Sequence, residues 1–148
     1  VVLSKDGNSE IYTTDRGGKD LRRLTTTAFT EGSPTWSPDG TRIAYTSNEA
    51  GGVHLFLMSA SGGGRTRLTT RGSWNDAVSW SPKGDRVAFV SREGGTNDIY
   101  TYDLTTKTYR RLTQGQGNNE SPVWAPNGVH IAFSSNRSGT WQVYMMLD

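Results

Sequence analysis

The sequence predicts an all-β fold, a β-propeller segment of four-stranded blades, and three observations carry that prediction. First, Trp36, Trp80 and Trp124 stand 44 residues apart in one recurring cassette. It reads Ser33-Pro34-Thr35-Trp36-Ser37-Pro38-Asp39-Gly40, then Ala77-Val78-Ser79-Trp80-Ser81-Pro82-Lys83-Gly84, then Ser121-Pro122-Val123-Trp124-Ala125-Pro126-Asn127-Gly128. Second, the register holds without a gap through Arg23-Leu24-Thr25, Arg67-Leu68-Thr69 and Arg111-Leu112-Thr113, and through Ile11-Tyr12, Leu55-Phe56, Ile99-Tyr100 and Val143-Tyr144. Third, short β-branched and aromatic runs alternate with Gly, Pro, Asn and Asp clusters, and no segment sustains a helical period. A period in the forties marks stacked units, none of which buries its apolar face alone. Four strands per unit point to blades around a channel. The alternative, a β-solenoid, uses shorter coils.

Residues 33–76 show how each element is justified. Ser33 to Trp36 reads as a first strand, stopped by Ser37-Pro38-Asp39-Gly40, where Pro presets φ and Gly accepts a positive one. Arg42 to Ser47 is a second strand, and the Gly-rich exit from Glu49 to Gly52 turns the chain back. His54 to Met58 is the third strand, and Arg67-Leu68-Thr69 belongs to a fourth after the Ser61-Gly62-Gly63-Gly64 turn. By phase, 1–32 is a partial blade holding strands two to four, 33–76 and 77–120 are whole blades, and 121–148 holds strands one to three. A chain that starts and stops inside a repeat reads as part of a longer protein, or as an excised or engineered piece of one. Its open edges call for the rest of a longer chain, or a second copy in a homo-oligomer, to complete the ring.

Composition excludes several function classes. Sixteen basic residues against 14 acidic ones give a net charge of +2, and the basic residues are scattered, so no nucleic-acid surface is expected. The absence of Cys removes disulfides and thiolate metal sites. No signal peptide or bilayer-length apolar stretch is present in the sequence, and no membrane insertion is expected. His54 and His130 are the only histidines, and repeat phase does not pair them; both read as exposed strand-end residues. No Gly-x-Ser-x-Gly elbow occurs. Asp6-Gly7-Asn8-Ser9-Glu10 lacks the central Gly and distant Glu of an oxygen-rich cation loop, and reads as a turn. Asp39, Lys83 and Asn127 share one repeat position with three chemistries, which suits a turn. No catalytic residue, cofactor or metal site is expected.

The recurring Trp36, Trp80 and Trp124 read as interblade packing. Trp74 and Trp141 fall outside the pattern: Trp74 has Thr30 and Asn118 at its equivalent positions, and Trp141 has Val53 and Asn97. Both read as loop aromatics and interface candidates. Loops from a fourth strand to the next first strand run over 27–32, 70–76 and 114–120. They carry Thr30, Glu31, Trp74, Asn75, Asp76, Asn118, Asn119 and Glu120. Loops between second and third strands reach the same face and add Arg92 and Arg137. Gly, Asn and Asp in these loops make turns, yet polar groups around one aromatic anchor also suit a protein-recognition mouth.

The cassette at 33–40, Arg-Ile-Ala-Tyr-Thr-Ser at 42–47 and the later Arg-Leu-Thr together resemble the propeller repeat of the TolB family. Val1 to Tyr12 is similar to the second and third strands of a blade in that family, and Ser91 to Gly95 and Asn118 to Trp124 add to the likeness, which covers essentially the whole chain. Related repeats also cap serine peptidases and occur in surface proteins. The resemblance implies a six-bladed propeller in the periplasm of a Gram-negative bacterium. It implies a non-catalytic role in the Tol-Pal cell-envelope system, binding the peptidoglycan-associated lipoprotein Pal through one mouth. The family's N-terminal domain, its TolA-engaging segment and two earlier blades have no counterpart in these residues, so the mouth would be incomplete. Two other readings stand beside it: a substrate-gating propeller of a serine peptidase, and an excised segment that self-assembles to close its ring.

Overall fold

A computed structural model describes residues 1–5 and 7–148. Asp6, in the loop read as a turn, lies outside the described residues. The strands in chain order are β1 (Val2–Leu3), β2 (Glu10–Thr13), β3 (Arg22–Arg23), β4 (Glu31–Trp36), β5 (Arg42–Ser47), β6 (His54–Ser59) and β7 (Thr66–Arg67), followed by β8 (Asn75–Trp80), β9 (Arg86–Glu93), β10 (Thr96–Asp103), β11 (Thr108–Arg111), β12 (Asn119–Trp124), β13 (His130–Ser135) and β14 (Gln142–Leu147). They form four antiparallel sheets in the orders β1-β2-β3, β4-β5-β6-β7, β8-β9-β10-β11 and β12-β13-β14. Each sheet is a meander of neighbouring strands, and the all-β propeller architecture expected from the repeat is what the chain adopts.

The first strand of each later sheet begins two residues before the sequence pattern places it, at Glu31, Asn75 and Asn119. A β-bulge explains the difference. Pairing shifts between Gly32 and Thr35, between Asp76 and Ser79, and between Glu120 and Val123. Ser33, Ala77 and Ser121 sit inside the bulges with φ of 46°, 55° and 52°, a left-handed conformation that non-glycine residues seldom adopt. Pro34 and Pro122 follow directly, placed where the ladder is already broken. The fourth strands are also shorter than expected: β7 ends at Arg67, and Leu68 turns inward with its N–H donated to the Leu55 carbonyl at 2.7 Å.

Apolar side chains meet between sheets, at three seams. Ile11 and Leu24 of the first sheet pack with Ile43, Tyr45, Phe56 and Met58 of the second. Ala44, Leu55 and Leu68 of the second pack with Trp80, Val87, Phe89, Tyr100 and Tyr102 of the third. Ala88, Val90 and Ile99 of the third pack with Trp124, Ile131 and Phe133 of the fourth. Trp80 and Trp124 are buried, each under an arginine of the preceding sheet: the Arg42 guanidinium lies 5.1 Å from the Trp80 ring, and Arg86 lies 5.3 Å from Trp124. Trp36 departs from the expected packing role. It is 50% exposed, and among the described residues no arginine lies over its ring as Arg42 and Arg86 lie over its counterparts.

Candidate functional site at the loop mouth

A polar fastener recurs at one end of every seam, built from side chains the repeat places in register. In the third seam Asp98, at the start of the long run of β10, is buried. Its carboxylate accepts from Thr113 Oγ1 at 2.7 Å, Arg111 at 2.5 Å and Asn119 Nδ2 at 3.2 Å. Asn119 is also buried and accepts from Arg137 at 2.9 Å, so the first strand of the fourth sheet is tied to the third. The middle seam substitutes His54 for the acid and Asn75 for the facing amide: His54 Nδ1 lies 3.3 Å from both Asn75 Nδ2 and Thr69 Oγ1. His54 is thus buried and not the exposed strand-end residue its position suggested. Burial holds it below its ordinary pKa, and the Arg67 charge acts the same way.

The first seam puts two carboxyls together. Glu10 and Glu31 are both buried. Arg23 and the Thr27 amide donate to Glu10 Oε1 at 2.7 and 2.8 Å, while Thr27 and Ser47 hydroxyls donate to Glu31 Oε1, both at 2.9 Å. Burial pushes Glu31 up to about 7, and its hydrogen bond to Glu10 adds to the rise. Burial acts upward on Glu10 too, but hydrogen bonds from Thr25, Arg23 and Glu31 outweigh it and hold Glu10 below the usual carboxylate range. The physical picture is one proton kept on Glu31 and one negative charge kept on Glu10.

Three of the expected mouth residues, Glu31, Asn75 and Asn119, therefore face inward and fasten seams. The groups around them reach solvent. Thr30 is exposed and clasped to Asn48, whose Oδ1 accepts from the Thr30 amide at 2.9 Å. Trp74 is half-buried: its ring packs against the Val90, Ile99 and Phe133 cluster, and the Arg92 guanidinium lies 5.8 Å away. Arg92 Nε donates to Asn97 Oδ1 at 2.9 Å, and Asn97 Nδ2 donates in turn to Glu120 at 2.9 Å. Asn118 accepts from the Asn97 amide at 3.0 Å and receives a return clasp from Asn136. Asp76 caps the bulge by accepting from the Ala77 amide at 2.7 Å. Arg137 lies over Phe133 and Tyr144, at 5.0 and 4.7 Å. Trp141 is exposed and lines a separate groove with Glu120, Ser134 and Val143. No group of three or more His, Asp or Glu able to hold a metal ion occurs among the described residues.

The fasteners escaped the sequence analysis because Glu10, His54 and Asp98 share a repeat position while differing in residue type. The available signal was the Thr of each Arg-Leu-Thr, whose Oγ1 also accepts from the Ile11, Leu55 and Ile99 amides, each at 2.9 Å.

Comparison with known proteins agrees with this architecture. The model of the TolB beta propeller domain matches residues 1–94 and 74–147. The Tol-Pal system protein TolB of Desulfosudis oleivorans is 41% identical over 56 residues, 38% of this chain and 13% of that protein. Dipeptidyl-peptidase 5 of Porphyromonas gingivalis is 35% identical over 54 residues, 36% of this chain and 8% of that protein. The crystal structure of TolB from Acinetobacter baumannii superposes with a TM-score of 0.85 at 30% identity, covering 94% of this chain and 35% of that one. The chain thus spans a minor part of each of these relatives.

Proposed function

This chain belongs to the TolB β-propeller domain family, and we propose that it is a non-catalytic protein-binding module of a periplasmic Tol-Pal-type envelope system. Its partner in this reading is a Pal-like lipoprotein domain, met at the loop mouth. One observation carries the proposal. The Arg92 guanidinium lies over the half-buried Trp74, Arg92 is linked through Asn97 to Glu120, and Asp76 follows two residues after the ring. An aromatic anchor inside a polar rim is the anatomy of a binding hot spot. Calorimetric titration with a Pal-type domain, using the protein encoded by the full reading frame, tests it. Trp74→Ala should weaken binding about ten-fold or more through faster dissociation. Glu120→Lys should act on the association rate and its salt dependence. Unchanged affinity in both variants would move the site away from this mouth.

A second reading is favoured by the peptidase relative: the propeller would gate substrate for a hydrolase domain elsewhere in the reading frame. An α/β-hydrolase domain encoded beside this segment would decide for it. Self-association is a third behaviour to measure, since Val143, Met145 and Leu147 of β14 are 78%, 69% and 64% exposed on one face. Light scattering across a dilution series tests it, and a concentration-independent monomer would rule it out.

A further inference from the structure

A groove of about 400 Å³ runs between the second and third sheets, away from the loop mouth. Its apolar lining is Leu57, Leu68, Tyr102 and Leu104, and Arg42, Arg67 and Lys107 bring positive charge to it. Comparison with the neighbouring repeat makes this groove unusual. Arg86 occupies the repeat position of Arg42 and is likewise stacked on a tryptophan. Arg86 is neutralised by an ion pair with Asp148 and lies 3.9 Å from Asp85. The residues 44 positions before these acids are Leu104 and Thr41, so Arg42 has neither.

The backbone at the two places is the same. The Leu104 amide donates to the Asp85 carbonyl at 2.9 Å, as the Asp148 amide donates to the Val129 carbonyl at 3.0 Å. Arg42 instead donates to the Gly84 carbonyl at 2.8 Å and forms no ion pair among the described residues, although its charge reaches Asp39. The acid in its own turn, Asp39, accepts from Ser37 and from Thr41. Lys107 is exposed, sits in a left-handed turn at φ 57°, and forms no ion pair among the described residues. Along one side of the groove, β7 is the outermost strand of its sheet, and its free edge can pair with an added strand.

We propose that this groove binds an extended peptide segment in which an acidic residue adjoins an apolar one. The peptide acid takes on Arg42 the place that Asp148 holds on Arg86, with Lys107 and Arg67 as further cations. The neighbouring apolar side chain covers Leu57 and Leu104, and the peptide backbone adds to the β7 edge. A carboxylate on a guanidinium already stacked on tryptophan forms a charge-assisted bond without reordering the arginine. The volume lies within the range of ligand-sized clefts.

Fluorescence anisotropy with a labelled acetyl-Leu-Glu-Leu-Glu-Leu-amide probe on the full chain tests this. The probe should bind, and the Gln-for-Glu analogue should bind about ten-fold more weakly or worse. Leu104→Asp is the decisive variant, because it rebuilds the intrachain partner that Asp148 provides to Arg86. It should abolish binding while the circular dichroism spectrum and a cooperative unfolding transition show the chain still folded. Lys107→Asn, which keeps a left-handed turn tolerable, should weaken binding and reduce its salt dependence. Equal binding of the Gln analogue, undiminished binding by folded Leu104→Asp, or binding of decanoate but not the peptide would each overturn the proposal.

Discussion

The first and third seams use the same repeat positions for opposite purposes. In the third, Trp124 is buried beneath Arg86, and Asp98 faces an amide, Asn119. In the first, Trp36 is half-exposed without a covering arginine, and Glu10 faces a second acid, Glu31. One repeat grammar therefore produces a seam that sets a carboxylate against an amide and a seam that sets two carboxyls together, one of them raised by burial. The difference rests on what stands opposite: an amide donates to a carboxylate unconditionally, while a carboxyl donates only when protonated.

The largest expected contrast concerns the tryptophans. Trp124→Ala should cost ~3–5 kcal/mol, the usual range for deleting a buried large aromatic. Trp36→Ala should stay within about 1 kcal/mol, since half of that ring already faces water. Urea midpoints of the two variants check this, and equal losses would break the distinction between the seams.

The next contrast is in pH. Glu31 sits at about 7 in the folded chain against an ordinary 4.5, so between those values the folded state holds a proton that the unfolded chain has released. Unfolding then sheds a proton, and stability should fall as pH rises from about 4.5 to about 7, levelling off above. Glu10 acts the other way. Its lowered pKa stabilises the fold above the usual carboxylate range, a contribution lost on acidification. Glu31→Gln should flatten the decline between 4.5 and 7, because an amide can donate to Glu10 and cannot ionise. Denaturation curves at matched ionic strength over that range provide the measurement. A slope that survives in Glu31→Gln would assign the proton to another group.

The contrast also marks how far the sequence could be read. The 44-residue spacing disclosed the sheets, their strand order and the burial of Trp80 and Trp124, because packing requires the same shape in every repeat. It did not separate Trp36, which is half-exposed, from its buried counterparts Trp80 and Trp124. Nor did it reveal the bulges at Ser33, Ala77 and Ser121, since none of these residue types advertises a left-handed backbone. At the mouth, residue type alone grouped Glu31, Asn75 and Asn119 with Thr30 and Glu120, as all are polar. Only the register with Thr25, Thr69 and Thr113 turns the first three inward. The groove charge on Arg42 appears when its repeat is compared with that of Arg86, not when either is read alone.

The smallest contrast tests whether Trp74 belongs to the scaffold as well as the mouth. Its equivalent before β4 is Thr30, an exposed residue held only through its backbone by Asn48. Trp74 instead packs against Val90, Ile99 and Phe133 of the third seam, and its carbonyl accepts from the Arg92 amide at 2.9 Å. Importing the first seam's residue, as Trp74→Thr, should cost ~1–2 kcal/mol, because part of the ring's apolar surface returns to water. Thr30→Ala should change stability by no more than about 0.5 kcal/mol, since the bond to Asn48 uses the backbone amide. Trp fluorescence is altered by the first substitution itself, so circular dichroism in urea is the suitable probe. If Trp74→Thr proved as neutral as Thr30→Ala, the ring would be free to serve a partner alone. A cost in the stated range means that any partner gripping Trp74 grips a side chain already fixed by the third seam, with little rotamer entropy left to lose on binding.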